Sequence, residues 1–145
     1  MAITPNTNGE NMIMIPLPWL MGISAFIATI NGLELIIAPA DMLQLYGVEL
    51  GPGGELMGRL SGAMLLGFAL INWFARNSPP SVTLWAIVLG DCVTDGCSVV
   101  ITLWVQLSGL VNALGWLSVI VYALFFISFG IHLFKLTTRQ LPPIA

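Results

Sequence analysis

The sequence predicts an all-α integral membrane protein, a four-helix bundle that takes up residues 1–145 as a single domain. Three observations predict it. Of the 145 residues, 57% are hydrophobic and only 8% charged, where a soluble domain carries about 25% charged residues. Mean hydropathy is +0.94. Four apolar stretches, about 16–38, 56–75, 82–105 and 109–134, are each long enough to cross a hydrocarbon core of about 30 Å at about 1.5 Å per residue. Seven acids and four bases give a net charge of −3, too few bases for a nucleic-acid footprint or a polybasic lipid-binding patch. The partner that composition names is the lipid bilayer.

The first span starts near Pro16 and carries Asn31 and Glu34 in its second half. The residues before it, MAITPNTNGEN, lack a cationic n-region, and no small-residue cleavage site follows, so no cleaved signal peptide is expected. Residues 40–50 set Met42, Leu43, Leu45, Tyr46 and Val48 among Asp41, Gln44 and Glu49. That pattern suits either a short helix lying on the membrane surface or an ordered loop. Gly51-Pro52-Gly53-Gly54 marks the break before the second span, in which Gly58, Gly62 and Gly67 place small residues at helix-packing intervals. Asn77-Ser78-Pro79-Pro80 breaks the chain before the third span, and Gln106-Leu107-Ser108 before the fourth. Gly90 and Gly96 bracket the polar centre of the third span and leave room for a neighbour, while Phe125, Phe126 and Phe129 read as filler against lipid or a partner.

Orientation follows from the bases. Arg76 in the second connection and Lys135 and Arg139 after the fourth span lie on one side, the side of both termini, and the positive-inside bias makes that side cytoplasmic. Trp19, Trp73 and Trp85 then mark the inner interface and Trp104 the outer one.

The third span holds the most informative residues, Asp91 and Asp95. A carboxylate near the bilayer centre costs at least about 2.5–3.5 kcal/mol, so it faces a bundle interior, a partner or water and marks a candidate site. Thr94, Ser98 and Thr102 extend the pair into a polar ridge. Glu34 and Arg59 fall at similar depths on the first two spans and are the expected intramembrane ion pair. One arginine cannot neutralise all three acids, so at least one aspartate lacks a base. The ridge has three readings: packing groups satisfied within the bundle, a proton or cation path, or a docking face for a basic residue of another membrane subunit. No internal repeat joins the first two spans to the last two, which argues against the usual transporter plan.

Chemistry within the chain is not expected. Cys92 and Cys97 are five apart, about 140° around a helix, so they do not form a redox pair and read as buried inert thiols. His132 is the only histidine, and the sequence holds no metal-ligand cluster, phosphate loop or nucleophile motif. No cofactor is specified.

Leu45-Tyr46-Gly47, then Arg59-Leu60-Ser61-Gly62-Ala63-Met64-Leu65-Leu66-Gly67, then Asn72-Trp73-Phe74-Ala75-Arg76 resemble small uncharacterised four-helix membrane proteins of bacteria. Their layout is similar to that of the ergosterol-biosynthesis scaffold family of the endoplasmic reticulum. The resemblance covers about a quarter of the chain and excludes Asp91 and Asp95. It implies a compact four-helix fold in a bacterial inner membrane and a tethering role without catalysis. The expected function is therefore a non-enzymatic accessory or scaffold subunit that contacts other membrane subunits, or further copies of itself, laterally. The alternatives are a small proton- or cation-coupled transporter using Asp91 and Asp95, and a pigment- or lipid-binding subunit.

Overall fold

The computed structural model describes residues 15–140, with side chains through Thr138. The N-terminal segment read for a leader and the Arg139 side chain lie outside the described residues. Five helices follow in order: α1 (Leu17–Ile37), α2 (Pro39–Leu45), α3 (Pro52–Ala75), α4 (Val82–Leu107) and α5 (Gly115–Gln140). All but α2 are long and apolar enough to cross a membrane, and no strand occurs among the described residues. The chain is an all-α, multi-pass membrane protein.

A proline stands at the first or second position of each of the first three helices, Pro18, Pro39 and Pro52, because a first-turn residue has no intrahelical acceptor for its N–H and proline's φ already suits the helix. Pro52 therefore opens α3 instead of breaking the chain, and Gly53 and Gly54 lie in its first turn, ahead of the expected start near 56. Ser81 caps α4, its hydroxyl accepting from the Leu84 N–H at 3.1 Å. The last span differs most from expectation. Gly109 adopts φ +69°, a left-handed conformation that ends the preceding helix, and the Asn112 side chain accepts from the Leu114 N–H at 2.9 Å to start the next one. The connection thus runs over 108–114 and α5 begins at Gly115, later than the predicted 109.

The first loop does form a short helix, α2, followed by a turn at Gly47 with φ +80°. It is tied to the last connection. Asn112 donates its backbone N–H to Tyr46 O at 2.9 Å and its side-chain amide to Leu45 O at 2.7 Å. Ser118 Oγ donates to Tyr46 Oη at 3.2 Å.

α1 packs along α3 and α4 along α5, while the two pairs touch each other more sparingly. Small residues set the first pairing. A Cβ built on Gly62 would stand 2.6 Å from the Gly32 carbonyl oxygen, so glycine is required where the two backbones meet. Ala25, Ala28 and Ala69 continue that contact, with Leu65 and Phe68 against it. The two pairs join at the end where the chain enters and leaves the bundle. There Leu20 and Met21 of α1, Ala75 of α3, Leu84 and Val88 of α4 and Phe129 of α5 form one buried cluster. Phe129, expected as outward filler, is fully buried and stacks on Phe125 at 6.1 Å between centroids.

Candidate functional site

Above that apolar cluster, α4 turns its polar residues inward. Leu84, Val88, Asp91 and Asp95 share the buried stripe of the helix, at the three- and four-residue steps that keep side chains on one face. Asp91 is 2% exposed and Asp95 7%, so both carboxyls lie inside the bundle rather than on its lateral surface. Asn72 of α3, wholly buried, donates its amide to Asp91 Oδ1 at 3.1 Å and to its own helix at Phe68 O at 3.4 Å. Asp95, one turn on, shares that buried face of α4.

Three oxygens at this seam are buried without a hydrogen-bond partner: Asn72 Oδ1, Asp91 Oδ2 and Asp95 Oδ2. In lipid each such group costs several kcal/mol. Outward from them the polarity continues. Tyr122 and Ser118, one turn apart on α5, are both half-buried; Tyr46 Oη accepts from Ser118 Oγ, and Tyr46 O accepts from the Asn112 backbone N–H. Ser98 and Thr102 are half-buried along α4, with the Thr102 hydroxyl donating to Ser98 O at 2.7 Å. Half-buried polar side chains thus continue beyond the aspartates on both α4 and α5 toward one end. Toward the other end the polarity stops at Val88, Met21 and Phe129.

Comparison with protein families, curated proteins and solved structures finds no match to this chain. Among the described residues no group of three or more His, Cys, Asp or Glu side chains converges as a metal site.

Several sequence-predicted residues stand elsewhere than expected. Thr94 is exposed and leaves the ridge, because one residue before Asp95 it points about 100° away around the helix. Glu34 and Arg59 do not pair. Arg59 Nη1 bonds Glu55 Oε2 at 3.0 Å, since a carboxylate one turn back on the same helix is reached without ordering a second one. Glu34 is exposed on α1 and makes no ion pair among the described residues.

The glycines divide as well. Gly62 meets Gly32, and a Cβ on Gly58 would stand 2.9 Å from Pro39 Cβ, but Gly67 is exposed with open space beside it and packs no helix. Gly96 faces the Phe126 ring, while Gly90 faces open space. Cys92 is half-buried, its thiol 4.0 Å from Phe126 O. Cys97 is exposed rather than buried. His132 Nε2 lies 3.0 Å from Ile15 O and tethers the chain's entry to α5.

Asn72, Tyr122 and Tyr46 are the members that sequence reading missed. Asn72 was visible as an amide near the end of an apolar span, a position with a polarity cost in lipid. Nothing in spacing ties it to Asp91, because the two come from different helices.

Proposed function

We propose that the chain is a small, non-enzymatic, proton-coupled membrane protein whose proton site is the Asp91, Asp95 and Asn72 cluster. The observation that carries this reading is the set of unpartnered buried oxygens at the seam of two helix pairs. A proton on a carboxyl supplies the donor that these acceptors lack. Two carboxyls and one amide suit a proton better than calcium, whose sites take about six to eight oxygens. The half-buried polar side chains of Ser98 and Thr102 on α4 and of Tyr122 and Ser118 on α5 offer an approach from one end, and the apolar cluster around Phe129 closes the other. Small movements of α1 and α3 against α4 and α5 would exchange access between ends, which the sparing contact between the pairs favours. Both termini lie in the cytoplasm on this reading, as the bases suggest.

The test is proton flux in proteoliposomes under an imposed pH gradient. Asp91→Asn and Asp95→Asn each keep size and hydrogen bonding but remove the ionisable group, so flux should fall at least about tenfold while helicity is retained. Wild-type flux no higher than that of empty vesicles, or unchanged flux in the double variant, would overturn the proposal.

A second reading is the lateral accessory or scaffold subunit. Glu34, exposed on α1 about one turn before the helix ends, favours it, because a carboxylate facing lipid invites a basic residue of a neighbouring subunit. Loss of a stoichiometric co-purifying partner on Glu34→Gln, with flux unaffected, would move the assignment there.

A further inference from the structure

A groove of about 570 Å³ opens on the outer side of the α1 and α3 pair, at the end of the bundle where the chain enters. Trp19, Ile23 and Phe26 of α1 and Trp73 of α3 wall it, and Arg76 stands at its mouth. A smaller depression of about 220 Å³ shares Phe26 and Trp73 with it and runs on to Thr29 and Ala69. Together they make one track. The volume of the first part lies within the about 300–1,000 Å³ of small-molecule sites.

The chemistry changes along the track in one direction. At the mouth the Arg76 guanidinium lies over the Trp73 ring, 3.3 Å from its centroid, and has no carboxylate partner among the described residues. Stacking on the ring leaves the guanidinium's edge donors available, in the planar arrangement that matches a phosphate. Trp19 and Trp73 are of the type that sits at headgroup depth. Below them the walls are apolar. Even Thr29 spends its hydroxyl on Ala25 O at 2.8 Å and turns no donor toward the track.

Length identifies the occupant's kind. From Pro18 to Thr29 the track follows α1 for about 16 Å, about half the hydrocarbon thickness of a bilayer. It therefore has the depth of one leaflet, with a single positive charge at the headgroup end. We propose that this groove is a binding site for an anionic diacyl phospholipid, its phosphate on Arg76 and one acyl chain laid past Ile23 and Phe26 to Thr29. A neutral zwitterionic lipid places a trimethylammonium beside the guanidinium and gains less. The groove shares no lining residue with the acidic cluster of Asp91, Asp95 and Asn72.

Gly22 provides a selective way to close it. Gly22 lines the groove, and a Cβ there would have Arg76 Cδ at 4.0 Å as its nearest neighbour, so the first atom of a leucine side chain is accommodated and the rest takes up space in the track. The experiment is native mass spectrometry of the full chain in detergent, titrated with phosphatidylglycerol, phosphatidylcholine or inorganic phosphate. Wild type should prefer phosphatidylglycerol over phosphatidylcholine, and inorganic phosphate should not displace the lipid. Arg76→Gln should weaken phosphatidylglycerol binding about tenfold, the loss of a hydrogen bond to a charged group, and Arg76→Lys should restore most of it. Gly22→Leu should weaken both lipids, and Arg59→Gln at the far end should change neither. Equal affinity for the two lipids, full displacement by phosphate, or an unchanged Gly22→Leu variant would overturn the proposal. So would an equal loss in Arg59→Gln, which would mean general attraction of charge.

Discussion

Asn72 reaches from α3 to Asp91 on α4, a hydrogen bond of 3.1 Å between two fully buried side chains. It is a polar bond across the seam of two helix pairs that otherwise touch sparingly. Its strength in a bilayer-like setting is modest. Polar contacts between membrane helices average about 0.6 kcal/mol and reach about 1.7 kcal/mol, because the separated helices also find partners.

A double-mutant cycle on this bond follows. Asn72→Leu strands Asp91 Oδ1, and Asp91→Leu strands the Asn72 amide, so each single change should cost more than its share of the double change. The coupling expected from thermal unfolding in detergent is about 0.6–1.7 kcal/mol. Additive losses would show that the bond contributes nothing to the seam.

The glycines of α3 should separate by position rather than by motif. Gly62→Ala drives a methyl toward the Gly32 carbonyl, where the built Cβ stands 2.6 Å away, and should destabilise by about 1–3 kcal/mol through overpacking. Gly67→Ala meets open space and should be neutral or stabilise by up to about 1 kcal/mol, since alanine is the better helix former. Melting temperatures of the two variants in one detergent check the order. A reversal would mean that Gly67, not Gly62, lies at the helix contact.

Arg59 and Glu55 form an exposed pair one turn apart. Arg59→Gln or Glu55→Gln should therefore cost only about 0.3–0.5 kcal/mol, and less in high salt. Glu34→Gln combined with Arg59→Gln should be additive. A coupling above about 1 kcal/mol between Glu34 and Arg59 would restore the ion pair that the geometry replaces.

Topology is tested by single cysteines in a background where Cys92 and Cys97 are changed to alanine. With the Arg76 side cytoplasmic, a cysteine at Gly53 should react with an impermeant thiol reagent in intact cells. One at Asn77 should react only after lysis. The opposite pattern would invert the orientation drawn from the basic residues.

The spans were legible in the chain because hydropathy is a local property: about 20 apolar residues cross the core whatever surrounds them. The class and the approximate extent of 82–105 needed no neighbours, and the polarity of Asp91 and Asp95 within that span was equally plain. Ends were less legible. Pro52 reads as a break in isolation but is a helix start in context, and the shift of the last helix to Gly115 depends on the Asn112 side chain and the conformation of Gly109.

Partners were not legible at all. That α1 lies against α3 and α4 against α5 follows from where glycine and alanine allow backbones to approach in three dimensions, as at Gly32 and Gly62. Depth alone put Glu34 beside Arg59, yet rotation about the helix axes turns Glu34 outward and hands Arg59 to Glu55. The same rotation sends Thr94 to the surface and brings Asn72 to Asp91. Sequence spacing specifies position along an axis and angle around it. Which angle faces which helix is decided by the packing of all four, because buried contacts between distant segments have no signature in either segment alone.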